Sequence, residues 1–186
     1  MLNRLHKLTA LLMISLPFVL GWFLYQNRTI LSPIAAFSEA LQLWEGASDS
    51  EREVIEGEVI EVSDNYTLSL RNTGGELFKF RLTGVEAPAL ENLKSSNIGL
   101  LLAKASEELS TIALSNQVQV AVTYRDEAGN GLGVLYVGKT NINALIVRHG
   151  LGQVRREYLR GLELGELYAL LRSEQVVQEQ ASQPSR

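Results

Sequence analysis

The chain has no cysteine, only two histidines and two methionines, and four prolines in 186 residues. Without cysteine there is no disulfide, no thiolate metal site and no cysteine nucleophile, and the absence fits any compartment. Two histidines, His6 and His149, leave no room for a histidine metal cluster or for a histidine-paired triad with spare members. Four prolines and 15 glycines exclude a collagen-like chain. An excess of positive charge is also missing. Lys and Arg number 17 against 21 Asp and Glu, giving a formal net charge of -4 and an isoelectric point near 5.3. A generic polyanion binder usually shows the opposite balance. The hydrophobic share of 46% and charged share of 20% are ordinary, which excludes disorder along the whole chain. The length fits one domain of usual size with an appendage.

The mean hydropathy of +0.03 conceals one local extreme. Residues 8–25 read LTALLMISLPFVLGWFLY and carry no charge. As a helix this run would span about 27 Å, close to the roughly 30 Å of a bilayer core. Trp22 and Tyr25 lie toward its end, where interfacial aromatics belong, and Arg4 and Lys7 precede it. Only Arg28 follows before Arg52, so the positive-inside rule places the N-terminus in the cytoplasm and the remainder outside. A cleaved signal peptide has the same charge order. No small-x-small pair closely follows the run, however, and Gln26-Asn27-Arg28 stands there instead, which favours a retained anchor. A buried globular helix is the least favoured reading, because the segment is apolar nearly all round. The expectation is one N-terminal transmembrane helix within residues 1–28 of a single-pass protein of the plasma or inner membrane.

Ser32-Pro33 reads as a helix start, with Ser as N-cap and Pro at the first helical position. Ile34, Phe37, Leu41 and Trp44 then recur at helical spacing. Such a stripe either lies on the membrane surface or packs on the following domain. Gly46 to Glu53 (GASDSERE) is a polar linker, so residues 29–53 form a juxtamembrane helix and linker.

From Val54 the pattern turns to period two. Strands are expected over Val54–Val62, Tyr66–Arg71 and Leu77–Leu82, with turn chemistry in Asn72-Thr73-Gly74-Gly75. A helix follows over Gly99–Leu114, with Leu101, Leu102, Ala105, Leu109 and Ile112 on its apolar face. Strands over Val118–Thr123 and Leu132–Val137 come next, then a short helix over Asn141–His149 ended by Gly150. A last helix runs from Gly161 to about Gln180, and residues 181–186 are a polar tail. Five strands with helices after the third and the fifth indicate a small closed sheet with flanking helices.

Four segments in this order resemble the staphylococcal nuclease (thermonuclease-like) family. Phe80-Arg81-Leu82-Thr83-Gly84-Val85-Glu86-Ala87-Pro88-Ala89 is similar to that family's FRLxGIDAPE. Gly129 to Val137 (GNGLGVLYV) is similar to its YGRxLAYVY, and Asn141 to Val154 (NINALIVRHGLGQV) to its VNxALVRxGLAxV. Ser63-Asp64-Asn65-Tyr66-Thr67-Leu68 stands where the family has VxDGDTL. The resemblance covers about Val54 to Ala169 and implies an α+β, mostly β fold. That fold is a five-stranded OB-type barrel with flanking helices, over residues 54–180.

Fold does not carry activity with it. The resemblance implies calcium-dependent phosphodiester hydrolysis: carboxylates hold the ion, a glutamate activates water, and two arginines neutralise phosphate charge. Carried over residue by residue, one metal carboxylate is Tyr66, the second is Glu86, and the carbonyl ligand belongs to Ala87. The general-base position is Ala89. Of the two arginines Arg81 is kept, and the other position is Asn130. A general base supplies about 10²–10⁴ in rate, and an arginine on a transferring phosphoryl group roughly 10³–10⁵ in related chemistries. Losing either, beside a weakened metal site, leaves little hydrolysis. Arg81 and Glu86 are then vestigial catalytic candidates. Rescue by Asp64, Glu91, Arg125 or Asp126 would require several loop residues to move together. Arg81 can equally pair with Glu86 or cap a turn.

Residues 54–186 carry 13 Lys and Arg against 16 Asp and Glu, which disfavours nonspecific nucleic-acid binding. Arg148, Arg155, Arg156 and Arg160 nevertheless cluster near the exit of the short helix. Tyr158 falls where the family has a tyrosine near its nucleotide pocket. These five are candidate phosphate contacts, or else a solvated face paired with Glu157 and Glu163. The last helix shows Leu162, Leu164, Leu167, Leu170, Leu171 and Val176-Val177, for packing on the barrel or for a partner. The expectation is a membrane-anchored, catalytically inactive binding or assembly module with a protein partner, needing no cofactor. An active enzyme with a rearranged site, which would need calcium, and nucleotide or oligonucleotide binding without cleavage are the alternatives.

Overall fold

The computed structural model describes residues 22, 28–44, 52–63, 66–87 and 95–182. The uncharged run 8–25, apart from Trp22, lies outside them, as do Asp64, Ala89, Glu91 and the tail 183–186. The expected transmembrane helix therefore falls outside the described residues. Among the described residues no helix is long and apolar enough to cross a membrane. Met1–Ala35 forms one compact unit and Ala36–Arg186 another.

The sheet closes because its strands alternate. In β1 (Val54–Ser63), β2 (Thr67–Asn72) and β3 (Leu77–Leu82), inward residues Val59, Leu68, Leu70, Phe78, Phe80 and Leu82 are buried while their neighbours along the strand are less so. Fully burying one such side chain contributes about 1.5–3 kcal/mol. The hairpin between β2 and β3 turns at Asn72, whose side chain accepts from the Glu76 amide at 2.8 Å, and Gly75 takes φ 86°. The order β3-β2-β1-β5-β6 uses β5 (Gln117–Arg125) and β6 (Gly131–Val137). Parallel pairing of β3 with β6, Arg81 opposite Leu132, shuts the barrel. Irregular register at Val59/Glu61 and Val122/Tyr124 supplies the extra bend that closure requires. Gly57 sits where a Cβ would stand 2.1 Å from the Arg71 carbonyl, so only glycine lets β1 and β2 approach.

The five expected strands are present, and the barrel with flanking helices makes the architecture α+β. Three two-residue pairings add to it. β4 (Val85–Glu86) pairs with β8 (Gln153–Val154), and β7 (Thr140–Asn141) extends β6. Runs this short carry no alternation to read. Tyr66 is not the first residue of the second strand but a turn residue at φ 58°. Helix α2 (Ser95–Ala113) starts before the expected Gly99, and Ala105, Leu109 and Ala113 are buried. Helix α3 (Ile142–Arg148) is capped by Asn141, whose side chain accepts from Ala144 N at 3.0 Å, and Gly150 follows at φ 70°. Buried Asn143 in α3 holds the barrel's end together. Its Oδ1 accepts from Leu135 N, and its Nδ2 donates to the Thr83 and Gly133 carbonyls at 2.9 and 3.2 Å. Helix α4 (Leu164–Ala181) begins three residues after Gly161, where a Glu163–Glu166 capping box sets the boundary.

Helix α1 spans Arg28–Leu43, so Ser32 is not its cap and Pro33 lies inside it. Pro33 removes one amide from the first turns but does not end the helix. Of the stripe read from the sequence, Ile34, Phe37 and Leu41 remain 63%, 48% and 51% exposed. The face toward the core is Ala36 and Ala40, both fully buried, followed by half-buried Trp44. Small side chains let α1 sit close, and two contacts fasten it: Glu39 pairs with Arg156 at 2.8 Å, and Phe37 meets Tyr168 edge-on at 6.1 Å.

Candidate functional site: a groove with Lys79 and Arg81

Period two along β3 sends Phe78, Phe80 and Leu82 inward and Lys79 and Arg81 to the other face. Thr67 of β2 and Leu132 of β6 stand opposite Arg81 on its two sides. With Tyr124 and the Asp126–Asn130 turn they line an open groove of about 340 Å³. Among the described residues neither Lys79 nor Arg81 is in an ion pair, whereas Arg52, Arg125, Arg155 and Arg156 each hold a carboxylate. The groove therefore presents two cations outside any ion pair among the described residues, with the Asp126 carboxylate at its rim and an exposed phenol ring beside them.

The turn at the groove's rim is locked from within. Asp126 accepts from Asn130 N at 2.8 Å and from Asn130 Nδ2 at 3.0 Å, and Gly129 takes φ 83°. These hydrogen bonds, the Asn130 side chain's first, hold the Asp126 carboxyl below the usual range. Asn130 thus holds the turn instead of presenting a cation. Arg125 is also committed: it grips Glu53 through Nε and Nη2 at 2.8 and 2.7 Å and lies 4.4 Å over the Phe78 ring.

Tyr66, the position that the resemblance assigns to a metal carboxylate, fills a buried corner. The residue is 3% exposed, and its hydroxyl donates to the Leu151 carbonyl at 2.5 Å. Burial pushes the phenol up to about 12, with the Arg81 charge pulling the other way. The second acid, Glu86, is engaged too. Pairing of β4 with β8 brings Arg155 beside it, with Arg155 Nε 2.8 Å from Glu86 Oε2 as an ion pair without hydrogen-bond alignment. Glu157 lies 3.4 Å from the same Nε. A calcium site needs several converging oxygens. Here one is a buried phenol bonded elsewhere and another is already neutralised. No group of three or more acidic, histidine or cysteine side chains converges among the described residues. The described residues of this corner do not by themselves supply a calcium site.

The structure separates the sequence candidates. Arg81 shares its groove with Asn130, and Glu86 meets Arg155 rather than Arg81. Arg148, Arg155, Arg156, Tyr158 and Arg160 do not line the groove. Arg156 is held by Glu39 and Glu174, each at 2.8 Å, and Glu174 foremost raises its pKa. Arg148, Tyr158 and Arg160 are exposed. Lys79, Thr67 and Tyr124 were not singled out from the sequence. Lys79 was findable, because it lies two residues before Arg81 on one strand face. Tyr124 becomes a wall only when the barrel closes.

Comparison with known proteins identifies the family. The family model for the staphylococcal nuclease homologue matches residues 79–181, from β3 through α4. An uncharacterized endonuclease of Haemophilus influenzae is 29% identical over 132 residues, covering 71% of this chain and 67% of that protein. The matched residues make up more than half of the sequence and include both barrel-closing strands and the α3 exit. By that match, the chain belongs to the staphylococcal nuclease homologue family.

Proposed function

We propose that the chain is a staphylococcal nuclease homologue that binds a phosphate-bearing ligand without hydrolysing it. In this reading it is held at a membrane by residues 8–25, with the barrel outside. The observation that carries it is the placement of two cations, Lys79 and Arg81, in no ion pair among the described residues, with Tyr124 in one groove. A phosphate satisfies both charges, and an aromatic ring offers a stacking face to a base. The net charge of -4 argues against long nonspecific polyanion tracts but not against one local contact. The filled corner at Tyr66, the committed Glu86 and Asn130 in place of an arginine support loss of hydrolysis. The uncharged run 8–25 supports the anchor.

The full chain in detergent or nanodiscs is tested with a labelled single-stranded oligonucleotide, a mononucleotide and inorganic phosphate. Binding should weaken at least tenfold in Lys79→Ala and Arg81→Ala, and should fall with salt. Calcium should produce no cleavage. The endonuclease description of the Haemophilus relative favours the opposite outcome. Robust calcium-dependent cleavage of single-stranded DNA, abolished by Arg81→Ala, would establish an active enzyme and overturn this reading.

A further inference from the structure

Arg125 lies between two residues of the groove wall without lining the groove itself. Tyr124 and Asp126 line it, and alternation along β5 turns Arg125 to the other side, over the Phe78 ring at 4.4 Å. From there Arg125 reaches several parts of the groove's frame. Its Nη1 donates to the Gly129 carbonyl of the rim turn at 3.1 Å. The Phe78 ring stacks on Phe80, a groove residue, with centroids 5.7 Å apart. It also packs so closely on Gly131 that a Cβ there would stand 2.4 Å from the ring. The guanidinium is oriented from outside by Glu53, which accepts from Nε and Nη2 at 2.8 and 2.7 Å. Glu53 is fixed in turn, because its carbonyl accepts from Val122 N at 2.8 Å and its neighbour Arg52 grips Glu166. We propose that Glu53 and Arg125 are positioning residues of the groove, holding its rim turn in place without touching the ligand.

The proposal rests on the reading that the groove takes a phosphate. Asp126 is the reason that position matters. Its carboxylate shares the groove lining with Lys79 and Arg81, so it is an anion beside the place an anionic ligand would take. In the folded turn Asp126 is occupied by Asn130, through N at 2.8 Å and Nδ2 at 3.0 Å. Hydrogen bonds inside the turn fix its shape, and the bond from Arg125 to the Gly129 carbonyl fixes its place on the barrel. A two-pronged grip by a carboxylate holds a guanidinium in one plane, which a single contact does not. The Glu53–Arg125 pair is itself part-exposed, so it contributes orientation more than stability. With that grip released, the turn is free to shift and Asp126 to approach Lys79 and Arg81. It then competes with a phosphate for both cations and repels it.

The full chain in detergent is tested with a labelled single-stranded oligonucleotide at several salt concentrations, with thermal melting to follow folding. Glu53→Gln and Arg125→Gln should each weaken binding about fivefold or more. Both should keep the wild-type slope of log affinity against log salt, because neither residue meets a phosphate. Lys79→Ala should lower that slope by about 0.7, the share of one contact to a single strand. Adding Asp126→Asn to Glu53→Gln should return most of the lost affinity, since the competing charge is gone. A lowered melting temperature with affinity unchanged in both variants would make the pair merely structural and overturn the proposal. The phosphate reading would survive that result if Lys79→Ala and Arg81→Ala still weaken binding. Tighter binding in Glu53→Gln, or a slope lowered by about 0.7 in Arg125→Gln, would make Arg125 a direct phosphate contact and equally overturn it. A double variant as weak as Glu53→Gln alone would refute the competition by Asp126 on which the proposal depends. Binding indifferent to Lys79→Ala and Arg81→Ala would overturn the groove reading itself, and the positioning role with it.

Discussion

Tyr66 does two jobs that a carboxylate at its position could not do together. Its ring fills buried space and its hydroxyl satisfies the Leu151 carbonyl, from a backbone at φ 58° that few bulky residues adopt. Because burial raises the phenol to about 12, the folded state keeps a proton that an unfolded tyrosine loses near pH 10. The unfolded chain then binds fewer protons, so stability is complete below about pH 10 and declines as pH rises toward 12. Tyr136, which donates to Glu166 at 2.7 Å, is raised in the same direction by burial and by that hydrogen bond. Tyr66→Phe should lower stability by about 1–2 kcal/mol at neutral pH, since the Leu151 carbonyl loses its donor. It should also flatten the alkaline decline, as denaturation followed from pH 8 to 12 would show. An alkaline limb unchanged from wild type would mean that Tyr66 ionises normally and is not sealed into the core.

Elements in this barrel are joined by polar pins as well as by apolar contact. Asn143 spends both ends of its amide on the backbone: Leu135 N on one side, the Thr83 and Gly133 carbonyls on the other. It thereby ties α3 to β6 and to the segment that joins β3, which carries Arg81, to β4, which carries Glu86. Asn143→Leu keeps the branched shape but leaves these buried groups without partners, and should cost about 3 kcal/mol. Urea denaturation should show a lower midpoint with unchanged slope. If the groove depends on this pin, phosphate binding should weaken in the variant even where it remains folded. At the start of β1, Gly57→Ala should also destabilise, by about 1–3 kcal/mol, because its Cβ collides with the Arg71 carbonyl rather than with a movable side chain.

At the scale of the whole molecule, a buried charge network joins the segment before β1 to the last helix. Glu166 is only 4% exposed and is gripped by Arg52 at 2.7 and 2.6 Å, by Tyr136 and by the Glu163 amide. Burial alone would raise its pKa, but the Arg52, Tyr136 and Glu163 contacts outweigh it and hold the carboxyl below the usual value. A folded pKa below the unfolded one stabilises at neutral pH. That contribution is lost as pH falls through the ordinary glutamate range toward the folded value. Glu166→Gln strands Arg52 partly buried, so it should cost about 3 kcal/mol, or roughly 6–12 °C in Tm. Its acid limb should be shallower than that of the wild type. A Tm within about 1 °C of wild type would show that the network contributes nothing net, as is known for some buried ion pairs.

The succession of strands along the chain, the hairpin at Asn72–Gly75 and the Gly150 exit were legible in the sequence, because periodicity and turn chemistry act over a few residues. The family was legible too, but from the resemblance of four motif segments rather than from periodicity. The candidate site was half legible. Tyr66, Ala89 and Asn130 could be read by position, but that Arg155 rather than Arg81 faces Glu86 depends on two-residue strands brought together from distant parts of the chain. The same limit applies to α1. Its apolar stripe was plain in the sequence, yet which face docks was decided by Ala36 and Ala40, whose small side chains permit close approach and a bond from Glu39 to Arg156. Amino-acid order determined which elements form and which chemical groups the chain possesses. Tertiary structure alone decided which of those groups are satisfied by one another and which are left to meet a ligand, because burial and ion pairing depend on neighbours that sequence spacing does not specify.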